Sequence, residues 1–276
     1  MSNMTRRQML KGFALGSIMA ASSGLATGCA PSSPLSDAGN ANGTEKVYQF
    51  AKRTSEVSDR IPVETDVLVI GGGGAGVCAA LAAAEAGARV AICEKTSMFG
   101  GATALSSGKI PAVGTAQQKE KEDSDSIGAC AMDIMRPSNY SVRPDLVYTA
   151  VEHSRDIVEW TEGFGAVWTV DDALYFGQTA YRMHTTDGEG EGLMDALIAS
   201  LEAEAAIEPM LSCEIMGLIL EDEADVVVGA WGKKGSEDIA IFAGNTVLAT
   251  SGFANNPDML ERYCPEAPGA VKVVAP

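Results

Sequence analysis

The chain has 276 residues, 46% of them apolar, which is enough for one large domain or two small ones with a substantial core. Its 37 Asp and Glu against 20 Lys and Arg give a net charge of −17, which argues against nucleic acid, because a phosphate backbone is bound through Lys and Arg that displace its counterions. An acidic surface of this kind favours solubility and can steer a basic protein partner. The six cysteines form neither C-x-x-C nor C-x-x-C-H, and the two histidines are His153 and His184, so no metal or haem signature is present.

In chain order, residues 1–29 read as a targeting segment and not as fold. Thr5 to Lys11 contains the pair Arg6-Arg7, and Phe13 to Ala26 is apolar but too short and too rich in Gly and Ser for a membrane span. The segment resembles the twin-arginine export signal of bacteria, with Met9 where Phe is commonest. Ala26-Thr27-Gly28-Cys29 is similar to a lipoprotein cleavage box, with Ala26 in place of the usual Leu. These resemblances imply export by the twin-arginine route to the periplasm or the outer face of the cytoplasmic membrane. They also imply lipidation at Cys29; an ordinary cleaved signal or a free thiol is the alternative. Residues 30–60 read as a flexible linker, since Ala30 to Thr44 is Pro, Ser, Gly, Asn and Ala without a hydrophobic period.

Thr65 to Lys95 is the most informative stretch. Asp66 to Ile70 predicts a buried strand, and Gly71, Gly73 and Gly76 follow at G-x-G-x-x-G spacing, with Gly72 and Gly74 as extra glycines. Ala75 to Ala86 predicts a tightly packed helix, Arg89 to Cys93 a second strand, and Glu94 closes the unit. In such a unit the first glycine permits the tight turn, the second lets backbone approach a pyrophosphate, and the third brings the helix close to the strands. The helix N-terminus offers N–H groups to the phosphates, and a terminal carboxylate accepts hydrogen bonds from adenosine ribose hydroxyls. Cys78 and Cys93 fall inside these elements and read as small core residues. Export would permit disulfides, but no cysteine spacing demands one.

Ser97 to Ile110 is a second cluster of glycines and small residues, directly after Glu94. A nicotinamide cofactor needs no such segment there. The long ribityl–isoalloxazine arm of a flavin does, so the pattern favours FAD over NAD. With these residues in view, the chain resembles the fumarate reductase and succinate dehydrogenase flavoprotein family, in its exported, soluble branch. The resemblance rests on Gly71 to Gly76, Glu94-Lys95, Gly100-Gly101 and Ser107-Gly108, with Lys109 replacing a family glycine. It implies that Gly71, Gly73, Gly74, Ala75, Gly76, Glu94, Lys95, Gly100, Gly101, Ala102, Thr103, Ser107 and Gly108 hold FAD. Ala102 or Thr103 stands where some members carry a flavin-linking His, which implies non-covalent FAD.

Further on, the pattern predicts a helix around Ser126 to Met135, an amphipathic helix over Pro144 to Trp160 and another over Gly192 to Ala205. His153 reads as a surface or ion-paired histidine. Tyr181 to His184 matches the family's Arg-x-His segment near the flavin, with a cofactor-orienting and a structural role both open. Met210 to Leu220, Val226 to Trp231, Asp238 to Ala243 and Asn245 to Thr250 predict strands. In the family these form a small β-meander in which a residue such as Ile215 touches adenine. Leu248 to Phe253 resembles the family's Ala-Thr-Gly-Gly turn beneath the pyrophosphate, assigning Thr250 and Gly252, with Ser251 in place of a glycine.

The expected fold is therefore α/β: a Rossmann-like FAD-binding domain over 61–255 with a parallel central sheet and a small β-meander, then the start of a truncated capping domain over 256–276. The resemblance implies an oxidoreductase passing hydride from reduced FAD to an activated alkene such as a fumarate-like acid. It further implies an external electron donor, such as a cytochrome or quinone-linked protein, and catalytic residues beyond this chain. The alternative is a non-catalytic truncated or split fragment completed by a second polypeptide that carries the cap.

Overall fold

The computed structural model describes residues 51–121, 125–254 and 256–265. The export and lipidation readings, Cys29 included, and the last eleven residues of the expected cap lie outside them. In chain order the elements are β1 (Ala51–Arg53), β2 (Ile61–Ile70), α1 (Gly74–Glu85), β3 (Val90–Cys93), α2 (Gly101–Ala104), β4 (Lys109–Pro111) and α3 (Ala116–Glu120). There follow α4 (Ile127–Met135), α5 (Pro144–Glu152), α6 (Ser154–Glu162), β5 (Trp168–Val170), β6 (Met183–Thr186) and α7 (Glu189–Ala203). The last are β7 (Ile207–Met210), β8 (Cys213–Leu220), β9 (Val227–Lys234), β10 (Glu237–Leu248) and α8 (Pro257–Tyr263).

A seven-stranded sheet has the order β1-β8-β9-β10-β2-β3-β7, and β4-β6-β5 form a small antiparallel sheet. Within the large sheet β10, β2, β3 and β7 run parallel, whereas β8, β9 and β10 form an antiparallel meander. Alternation along β2 assigns its two faces. Val67 and Val69 pack with α1 and with Met194, Leu197 and Leu201 of α7. Leu68 and Ile70 pack with Cys93, Cys213, Ala230, Ile239 and Ile241. This second cluster joins β3 to β8 although three strands separate them in the sheet order, so the sheet curls over that face, in the sense that strand twist accumulates.

Several boundaries differ from expectation, each for a local reason. Ala51–Arg53 is a strand and Thr54–Val57 a 3-10 turn, so the segment expected as linker to residue 60 is structured over 51–57. The Arg53 guanidinium anchors it on the Glu221 and Ala224 carbonyls and on Asp225. The expected helix from Pro144 to Trp160 breaks at His153, where φ −96° and ψ 3° leave helical geometry. Met210 to Leu220 is two strands, divided at Leu211 and Ser212, the latter at φ 52°. Conversely, Gly244 interrupts nothing: β10 runs through it, pairing with β2 from Ile239↔Ile61 to Leu248↔Ile70.

Candidate cofactor site

The parallel strands end where the first glycine cluster begins. Gly71 turns the chain off β2 at φ 109°, and its N–H donates to the Cys93 carbonyl at 2.8 Å. A Cβ at Gly71 would lie 2.4 Å from the Ala249 oxygen, because the chain leaving β10 crosses over this turn. At Gly76 a Cβ would stand 1.8 Å from the Gly71 carbonyl oxygen, so α1 starts in direct contact with the turn it leaves. No side chain caps α1 at Gly73, and the Gly74 N–H donates to the Thr103 hydroxyl at 3.1 Å.

Thr103 belongs to the second cluster, which the fold lays against the first. Gly73 and Gly100 form a parallel bridge, and the Gly100 N–H donates to the Gly72 carbonyl at 2.9 Å. A Cβ on Gly101 would approach the Gly73 Cα to 3.0 Å. Ala102 and Ser107 are exposed, and Gly108 is buried beneath Thr186 and Glu189. Lys109, in place of a family glycine, fits because it lies in β4 and sends its side chain to the small sheet. Its Nζ sits 2.6 Å from both Asp171 Oδ2 and Thr185 Oγ1.

Glu94 is half-buried at the mouth of this cradle. One carboxylate oxygen accepts the Gly72 N–H at 2.8 Å, and the other accepts the Thr96 N–H at 2.9 Å with the Thr96 hydroxyl 3.0 Å away. A carboxylate has about four acceptor sites, so lone pairs remain for a ligand's hydroxyls. Lys95 is exposed beside it. Thr250 meets the Gly71 turn, and Ser251 takes a left-handed φ of 66°, as a residue standing in for glycine must. The outlying members are Gly252, with open space around it, and Ile215, on β8 in the cluster that holds Cys93.

Three features of this region escaped sequence reasoning. Gly72 is needed for Phe99, whose ring would lie 2.4 Å from an added Cβ. Thr96 orients Glu94. The first turn of α7 closes on the second cluster: the Gly190 N–H donates to the Ser106 carbonyl at 3.1 Å, and a Cβ there would be 2.0 Å from the Thr103 oxygen. The alternating glycines Gly188, Gly190 and Gly192 were a readable signal for that approach.

Arg182 and His184 resolve to the structural alternative. The Arg182 side chain, 1% exposed, reaches Asp125 at 2.8 Å and Asp133 at 2.5 Å, and those carboxylates are 2% and 3% exposed. Gln118 also donates to Asp125, and the Thr179 N–H and hydroxyl donate to Asp133. Burial pushes the Asp133 carboxyl up, but the Thr179 and Arg182 hydrogen bonds outweigh it and hold the group below its ordinary value. His184 Nδ1 donates to the Arg182 carbonyl at 2.8 Å, leaving Nε2 to accept from the Thr115 hydroxyl at 2.7 Å. Burial pushes its pKa down, so the imidazole is neutral. His153 lies half-exposed, 3.2 Å from Asp156.

Residues 66–276 match the family model described as an FAD binding domain. The chain belongs to this FAD-binding family, of the fumarate reductase and succinate dehydrogenase type. A probable fumarate reductase of Shewanella frigidimarina is 30% identical over 84% of the chain and 40% of its own length. A urocanate reductase of Eggerthella lenta is 31% identical over 84% of the chain and 39% of its own length. Among solved structures, the open conformation of a flavocytochrome c3 fumarate reductase superposes with a TM-score of 0.70 at 30% identity, covering 85% of this chain and 42% of that one. The chain thus spans about 40% of the length of these curated relatives.

The residues fit FAD. Gly71, Gly72 and Gly76 are glycines because this chain's own atoms crowd them. Gly73 is not: a Cβ there would meet nothing nearer than the Gly100 oxygen and Gly101 Cα at 3.9 Å. Gly73 is therefore glycine where its own chain does not demand one, at a helix N-terminus that its own side chain does not cap, as close approach of a pyrophosphate requires.

Proposed function

We propose that this domain holds FAD non-covalently for a flavoprotein oxidoreductase that reduces an activated alkene such as a fumarate-like acid. The observation that carries the reading is a glycine at 73 that its own chain does not crowd, where two glycine clusters meet beside a fixed Glu94. Gly73, Gly74, Ala75 and Gly76 present the α1 N-terminus to the pyrophosphate, and Gly71 and Thr250 floor that subsite. Glu94, with Lys95 beside it, accepts the ribose hydroxyls, and Ile215 flanks the adenine. Gly100, Gly101, Ala102, Thr103, Ser107 and Gly108 line the path of the ribityl arm and ring, and Gly252 belongs to the turn beyond Thr250.

FAD, when bound, supplies hydride to the substrate. The residues of this chain bind and orient it, and none is given a catalytic role. Alkene reduction is supported by relatives named fumarate reductase and urocanate reductase, and it is proposed for the whole flavoprotein to which such a domain belongs. The flavocytochrome relative supports a cytochrome or quinone-linked electron donor. The twin-arginine sequence supports export to the periplasmic side, with Cys29 as lipid anchor. Among the described residues no helix is long and apolar enough to cross a membrane.

An absorption spectrum of the purified chain before and after denaturation tests the cofactor. Flavin that stays with the protein on gel filtration and is released on denaturation is the expected result; flavin retained by the denatured chain would overturn non-covalent binding. For the reaction, fumarate and urocanate are offered to the dithionite-reduced holoenzyme, and reoxidation by neither sinks the alkene assignment.

A further inference from the structure

Cys93 and Cys213 lie far apart in sequence and side by side in the fold. β3 delivers Cys93 as its last residue, in register with Met210 of β7. The chain then turns over Leu211 and Ser212 and returns, so that the Cys213 N–H donates to the Glu94 carbonyl at 2.9 Å. Both cysteines are 1% exposed and belong to one apolar cluster. The Cys93 sulfur lies 3.9 Å from that of Met210, and Cys213 follows Met210 by three residues.

We propose that Cys93 and Cys213 form a disulfide site, oxidised by a small-molecule or protein disulfide, that staples the end of β3 to the start of β8. The location gives the bond a consequence. Glu94 stands between the two strands, donating its N–H to the Met210 carbonyl and accepting the Cys213 N–H, so the cross-link fixes the backbone that carries the ribose-binding carboxylate. The neighbouring Cys213 pushes the Cys93 thiol up, and Cys93 draws Cys213 down, the latter against its burial and with help from the Lys234 ammonium.

With oxidised glutathione as the disulfide, the Cys213 thiolate attacks one sulfur, the glutathione S–S bond breaks and one glutathione thiolate leaves. Cys93, losing its proton, then attacks the Cys213 sulfur of the mixed disulfide, and the second glutathione leaves. The two cysteines have lost two electrons and two protons, and one disulfide has become two thiols. Because both sulfurs are buried, exchange proceeds while the chain folds or when this end of the sheet opens.

The FAD-loaded chain is equilibrated in glutathione buffers of increasing oxidation, and in parallel refolded in them from denaturant. Free thiols are then alkylated under denaturing conditions and the peptides mapped by mass. The expected result is two fewer alkylated cysteines, a cross-linked peptide pair joining residues 93 and 213, a raised Tm and slower FAD release. Cys93→Ser and Cys213→Ser each abolish the cross-linked pair, and the wild-type map decides the matter if a variant does not fold. Cys93 and Cys213 both alkylated after oxidative refolding, or a Cys213–glutathione adduct that Cys93 never resolves, overturns the proposal.

Discussion

The turn at Gly71–Gly76 and the polar knot around Arg182 are both dense in residues that a sequence reading singles out, yet they are built in opposite ways. In the knot every group is answered by the chain itself: Arg182 by Asp125 and Asp133, Asp133 also by Thr179, and His184 by Thr115 and the Arg182 carbonyl. At the turn, Gly73 is a glycine that its own chain does not require, since an added Cβ would meet nothing nearer than 3.9 Å, and no side chain caps α1 there. A conspicuous residue whose partners are all internal supports the fold, whereas a glycine that its own chain does not demand points to a ligand.

Four measurements break or sharpen this contrast, from the largest expected effect to the smallest. Arg182→Met leaves two buried carboxylates without their cation and lowers unfolding free energy by about 3–5 kcal/mol in urea titrations. Its folded fraction should bind FAD with wild-type affinity; lost binding at unchanged stability would move Arg182 into the cofactor site. Next come two alanines three residues apart. Gly76→Ala forces a Cβ onto the Gly71 oxygen and should cost about 3 kcal/mol of stability. Gly73→Ala has room within the protein and should change stability by less than about 0.5 kcal/mol, while its FAD dissociation constant rises at least about tenfold. Equal effects at both positions would remove the argument for a pyrophosphate over Gly73.

The third is pH. The folded pKa of His184 lies below its ordinary value of 6.5, so its contribution is complete above 6.5 and is lost as pH falls through the lower folded value. Asp133 and Asp171, both held below 3.8, add a further loss in stronger acid. Tm should therefore fall on the acid side of 6.5, and His184→Asn should flatten the first part of that fall; an unchanged slope would rule His184 out as its source. The smallest effect belongs to His153→Asn, which removes an exposed pair and should shift stability by less than about 0.5 kcal/mol.

Legibility in the sequence followed the distance over which each feature is decided. Helix α4 was readable from its local apolar period, and the structure starts it at Ser126, whose hydroxyl accepts from Ala129 three residues on. The helix expected through His153 was not, because the apolar period continues across a backbone break. Met210 and Cys213 looked like one strand because both are apolar and the left-handed residue between them is a serine. They belong to β7 and β8, at opposite sides of the sheet order.

The sequence by itself determined the strand–glycine–helix–strand unit, the acid at Glu94, the FAD family and the meander that follows. Each of these is written in neighbouring residues, through strand alternation, glycine spacing and an unbroken small-residue helix. Only the tertiary structure decided which glycines are crowded by the chain and which are not. It also decided that Arg182 and His184 are satisfied from within and that Cys93 meets Cys213. Those outcomes depend on segments up to more than a hundred residues apart being brought into contact by the tertiary fold, and a linear pattern carries no record of that approach.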